Sequence, residues 1–129
     1  MLAQHASGDA RPFVQRAMPG GEIVGSTRLF DFRWWRGRLV PDELEVGGTW
    51  LAPAAQRTPI NTEAKLVLLT HAFETWEAVR VAICTDERNE RSRRAIERLG
   101  ATFEGVLRNH RCSYVAGRRA GRATPPCSR

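Results

Sequence analysis

The chain has a single lysine, Lys65, and a single tyrosine, Tyr114, and beyond Glu104 it has no acidic residue. No apolar run approaches the roughly twenty residues that a membrane-spanning helix needs, so no membrane span is expected. Three cysteines, Cys84, Cys112 and Cys127, are an odd number. Their spacings fit neither a zinc site nor a disulfide framework, so no metal is expected. Cys84 lies in an apolar strand pattern and reads as a small buried side chain. The opening from Met1 to Ala10 lacks a charged segment followed by a continuous apolar one. No secretory signal is read from it, and a cytoplasmic setting is expected.

The missing acidic residues also account for the charge. Formal net charge is +6, and Arg108, Arg111, Arg118, Arg119, Arg122 and Arg129 supply six positive charges after Glu104, which leaves the rest neutral. Nearly every basic residue is arginine, which points to coding bias more than to selection for phosphate contacts. Nucleic acid is therefore not expected as a specific partner, although a basic tail adds salt-sensitive attraction to polyanions.

What is present is enough for one core, since 42% of the 129 residues are hydrophobic. Residues 1–10 are small, polar and aperiodic and are expected to be disordered. Residues 11–110 carry the folded domain. Residues 111–129 form a basic tail, with Tyr114 and Val115 its only sizeable apolar residues, and are expected to be disordered.

Within the domain, residues 12–18 read as a strand and Pro19-Gly20-Gly21 as a turn. Residues 22–32 alternate with apolar residues on both faces, which predicts a central strand. Residues 33–42 are a loop whose Trp34 and Trp35 either close over the core or line a substrate mouth, with packing the expected role. Residues 43–51 are a strand interrupted by Gly47 and Gly48, which marks a bulge or a close approach. Residues 79–85 read as a short buried strand that completes a βαβ unit. A second helix over 90–99 turns Ala95, Ile96 and Leu99 inward and ends at Gly100. Strand character resumes over 102–108, so the class is α/β (α+β).

The chain is organised around Gln56 to Glu77. Thr58 reads as a helix N-cap with Pro59 at the first helical position. The helix that follows, with Ala64, Val67, Leu68, His71, Ala72, Thr75 and Trp76 on one face and Leu66, Leu69 and Phe73 widening it, is expected to be largely buried. Strand, polar loop and buried helix together aim free backbone N–H groups at an anion.

Three segments, in order, carry a resemblance: Leu44-Glu45-Val46-Gly47-Gly48-Thr49-Trp50-Leu51-Ala52-Pro53, then Asn61-Thr62-Glu63-Ala64-Lys65-Leu66, then Thr85-Asp86-Glu87-Arg88-Asn89-Glu90-Arg91-Ser92 through Gly100-Ala101. Over residues 22–110 the chain resembles the GNAT superfamily of acetyl-CoA-dependent N-acetyltransferases. Within it, the chain looks like the RimJ/RimL branch, whose members acetylate protein N-termini and other amines. The resemblance implies a mixed central sheet with a bulged, splayed strand pair and flanking helices, with the fold truncated at both ends.

The same resemblance implies acetyl-CoA as co-substrate and an amine acceptor such as a protein N-terminus. The backbone donors that polarise the thioester would lie near Thr49 and Trp50, with Leu51 alongside. Gln56, Arg57, Thr58, Asn61 and Thr62 would cradle the pyrophosphate. Asn89 and Ser92 would meet the pantetheine or the leaving sulfur at the mouth of the second helix. Many members carry a tyrosine acid in that helix; here there is none, and Ser92 is the stand-in. Glu45 is the general-base candidate by strand position, and His71 a packing residue. Pro59 stands where the family offers a glycine N–H, and one charged hydrogen bond is worth about 1.5–3 kcal/mol, so cofactor affinity is expected to fall roughly tenfold to a hundredfold.

Two rival readings are a binding-only remnant of the same fold and a nucleic-acid binder. The strand over 102–108, left with an unpaired edge, invites a homodimer.

Overall fold

The computed structural model describes residues 10–108 and 110. It divides into two units at Cys84 and Thr85. The first holds a four-stranded sheet, in spatial order β1 (Ala10–Arg16), β2 (Ile23–Arg33), β3 (Glu43–Leu51) and β4 (Arg80–Ala82). β1–β2 and β2–β3 are antiparallel and β3–β4 parallel, which gives the mixed sheet the sequence implies. Pro12 sits in β1, an edge strand, where a missing ladder donor is tolerated. The hairpin between β1 and β2 closes through Ala17 N–H to Glu22 O (2.9 Å) and Gly21 N–H to Ala17 O (2.6 Å). Gly21 takes the left-handed φ of 75° there.

After β3, a short 3-10 turn (Pro53–Ala55) leads through Gln56–Pro59 to α1 (Ile60–Thr70), which continues as a π-helical turn (His71–Thr75). The helix is less buried than its periodicity suggests. Its buried stripe is Lys65, Leu68, Ala72 and Trp76, while Leu66, Val67, His71 and Phe73 are exposed. Leu29, Leu44 and Val46 from the sheet complete the core with Leu68, Ala72, Trp76 and Ala78. Helix and sheet therefore share one narrow seam, and roughly 1.5–3 kcal/mol per large apolar side chain accrues along it.

Asp42 organises the β2–β3 loop. Fully buried, it accepts hydrogen bonds from the N–H groups of Trp35 (2.6 Å) and Arg36 (2.9 Å) and from the Arg36 guanidinium. Its own carbonyl accepts from Val79 N–H (2.9 Å), tying the loop to the entry of β4. Trp34 and Trp35 consequently stay about half exposed, at 52% and 55%, and do not close over the core.

In the second unit, α2 (Glu90–Arg98) begins at Asn89, whose Oδ1 accepts from Ser92 N–H at 3.1 Å, and Gly100 follows its end with φ 83°. This is the expected helix, with Ser92, Ala95, Ile96 and Leu99 its least exposed positions. Residues 102–108 form no strand and are exposed throughout, so the sheet edge expected there for a second copy is not present. Cys84 is exposed, not buried, because β4 stops two residues before it. Residues 1–9 and the tail from Arg111 lie outside the described residues.

Candidate active site

β3 is paired to β4 at only one end. Glu43, Leu44 and Glu45 face Arg80, Val81 and Ala82 across the parallel ladder. β3 then runs on to Leu51 with no β4 partner among the described residues. The strand pair is thus open at the end where Gly47, Gly48, Thr49 and Trp50 lie.

A bulge occupies that open end. Ser26 pairs with Trp50 and Arg28 with Gly47, so one residue of β2, Thr27, stands opposite two of β3, Gly48 and Thr49. Gly48 adopts φ 59°, and a Cβ there would lie 2.6 Å from Arg28 Nε. Gly47 has no such constraint, since a Cβ would meet only ordinary contacts from 3.4 Å outward. Of the glycine pair, Gly48 makes the bulge. Gly48, Thr49 and Trp50 are all exposed.

Beneath the bulge lies a residue the sequence reading passed over. Lys65 is 4% exposed, and its Nζ donates to Thr49 Oγ1 at 2.6 Å and to Thr27 Oγ1 at 2.7 Å. The two hydroxyls are 3.1 Å apart, and Thr27 Oγ1 also donates to Gly47 O at 3.3 Å. Among the described residues Lys65 forms no ion pair with a carboxylate. Burial pushes its pKa down to about 8. The signal was there: the only lysine falls in register with Leu68, Ala72 and Trp76 on one helical stripe.

The start of α1 supplies the second half of the site. Pro59, not Thr58, is the N-cap, and Thr58 Oγ1 donates instead to Ala55 O at 2.7 Å. The first helical bond runs from Glu63 N–H to Pro59 O (2.9 Å). The N–H groups of Ile60, Asn61 and Thr62 therefore precede it, and the proline's missing donor lies outside that run. Arg57 is exposed with φ 63°, and Gln56 Nε2 donates to Leu51 O at 3.2 Å, joining the loop to the end of β3. Asn61 Oδ1 is buried with no hydrogen-bond partner.

Of the other expected residues, Glu45 is 5% exposed on β3 opposite Phe30. Asn89 and Ser92 lie at the first turn of α2, in the second unit. His71 packs edge-on against Trp76 at 4.6 Å between ring centroids, the packing role expected of it.

The fold is that of acetyltransferases of the GNAT class, and solved structures share it. A GCN5-related N-acetyltransferase from Brucella melitensis superposes with a TM-score of 0.73 at 27% identity, over 85% of this chain and 48% of that one. Mycobacterium smegmatis RimJ, in complex with CoA-disulfide, gives 0.67 at 24% identity over 84% and 49%, a likeness of fold. The family description "Acetyltransferase (GNAT) domain" matches residues 2–102, and the chain belongs to that family. "Putative ribosomal N-acetyltransferase YdaF" from Bacillus subtilis (strain 168) is 44% identical over 62 residues, 48% of this chain and 34% of that protein. The chain thus spans half or less of the length of these relatives. No helix among the described residues is long and apolar enough to cross a membrane.

Proposed function

We propose that the chain is an acetyl-CoA-dependent N-acetyltransferase whose acceptor is an amine such as a protein N-terminus; the name of one relative, a putative ribosomal N-acetyltransferase, supports the amine. One observation carries this reading: β3 leaves β4 after three residue pairs and bulges at Gly48, immediately before a helix that begins with N–H groups lacking helical partners.

The residues fit such a ligand. The N–H groups of Ile60, Asn61 and Thr62, with the exposed guanidinium of Arg57, suit a pyrophosphate, and Gln56 and Thr58 hold that loop in place. The orphaned Asn61 Oδ1 offers an acceptor to an amide N–H. Bound acetyl-CoA supplies the activated acyl group. The protein's part is orientation and polarisation: in this reading the backbone at Thr49 and Trp50, continuing to Leu51, meets the thioester oxygen as it gains charge. Glu45, buried on the same strand, takes the acceptor's proton in this reading.

Calorimetric titration with acetyl-CoA, paired with release of free thiol in the presence of peptides bearing free N-termini, tests the proposal. Binding with acceptor-dependent thiol release is expected. Replacing Arg57 by Ala should weaken binding about tenfold, the worth of one charge-assisted hydrogen bond, and flatten its salt dependence. Binding without thiol release for any amine would reduce the chain to a binding module, and absence of binding would remove the cofactor assignment altogether.

A further inference from the structure

We infer that Lys65 is a positioning residue: its buried ammonium clamps both sides of the Gly48 bulge, through Thr49 directly and through Thr27 to the Gly47 carbonyl, and so fixes the course of the β3 backbone through Gly48 and Thr49. The inference rests on the acetyltransferase reading for its effect on turnover, though not for its effect on the bulge.

The geometry closes as a hydrogen-bond network. The ammonium has no acceptor capacity, so it donates to both hydroxyls, at 2.6 Å and 2.7 Å. Each hydroxyl keeps one proton. That of Thr27 goes to Gly47 O at 3.3 Å, and that of Thr49 goes to Thr27 Oγ1 at 3.1 Å. With Thr27 donating to Gly47 O, the two hydroxyls have one consistent direction, and two of the three ammonium protons are placed on them. It joins α1, β2 and β3 at one of the two points where the β2–β3 register shifts.

Alternatives fit less well. Lys65 is too buried to meet solvent or a bulky ligand, and a charge kept from water with only hydroxyls beside it is costly as a mere packing element. A bulge held only by β2 would be free to relax, because a glycine with φ 59° has wide conformational freedom. Preorganised donors are effective in catalysis because they need not be reoriented as charge develops.

The test uses the full chain with three substitutions. Lys65→Met removes the charge at similar length, Thr27→Val removes one hydroxyl without changing shape, and Thr27→Ser restores it. Thr27 is buried and belongs to no part of the proposed cofactor cradle. Expected for Lys65→Met and Thr27→Val is a fall in kcat of about tenfold or more, with KM for acetyl-CoA little changed, and recovery in Thr27→Ser. The backbone amide resonances of Gly48, Thr49 and Trp50 should shift in the first two variants and not in the third. If Lys65→Met does not fold, Thr27→Val carries the comparison. Wild-type kcat in a folded Thr27→Val, or a rise in KM alone, would overturn the clamp. A wild-type protein that neither binds nor turns over acetyl-CoA would remove the acetyltransferase reading instead. The amide shifts would then decide the clamp by themselves, unmoved resonances overturning it.

Discussion

A buried ammonium flanked by hydroxyls leaves a signature in the pH dependence of stability. Lys65 has a folded pKa of about 8, below its ordinary value of 10.5. Folding therefore bears the full cost of burying the charge below pH 8, and the cost fades as pH rises to 10.5 and the unfolded chain also loses its proton. Urea midpoints should rise across that window, by an amount on the order of 3 kcal/mol in stability at most. The rise should be absent in Lys65→Met. Asp42 works in the opposite sense. Hydrogen bonds, foremost from the N–H of Arg36, hold its pKa near 2, below the usual 3.8. Its contribution is present above pH 4 and lost as pH falls toward 2, so acid unfolding of Asp42→Asn should lose part of its pH dependence in that interval.

Among the elements, the bulged β3 and its neighbour β2 make the sharpest demands on backbone. A Cβ on Gly25 would lie 2.6 Å from the carbonyl oxygen of Trp50 and 2.8 Å from Leu51 Cδ2. The carbonyl cannot move without opening the β2–β3 pairing, so Gly25→Ala should cost roughly 1–3 kcal/mol. Gly48→Ala meets the flexible Arg28 side chain but must hold a left-handed φ, at about 1–2 kcal/mol. Gly47→Ala should change stability by less than about 1 kcal/mol. Thermal melts of the three variants check the ranking. An equal cost at Gly47 and Gly48 would show that the bulge is not where the register shift places it.

For the whole molecule, the net charge of +6 is concentrated after Glu104. Binding to duplex DNA, if it involved all six of those arginines, should weaken about a thousandfold between 50 and 200 mM salt. Acetyl-CoA affinity should fall far less, because only the pyrophosphate end of the ligand is charged toward Arg57 and the helix start. Fluorescence anisotropy with labelled DNA beside calorimetry with acetyl-CoA, at both salt levels, separates a tail effect from the site. Loss of the two affinities in parallel would tie cofactor binding to the tail and not to the cradle.

The sequence by itself determined what local backbone chemistry governs. The limits of β3 at Glu43 and Leu51, the turn at Gly20-Gly21 and the stop of α2 at Gly100 are all as periodicity and φ requirements foretell. The order of the three motif segments sufficed for the family, because that order is carried by the chain itself. Tertiary structure decided the rest, for the reason that burial is a property of what lies opposite. Val67, Phe73 and Cys84 are apolar but exposed, since one narrow seam covers α1 and β4 is only three residues long. Residues 102–108 have strand propensity yet gain no ladder, and propensity without a partner does not make a strand. From the sequence, Lys65 has no role beyond its place in the second motif segment. It is buried because two hydroxyls, 38 and 16 residues away in sequence, meet it under the bulge and satisfy an ammonium that would otherwise have to remain in water.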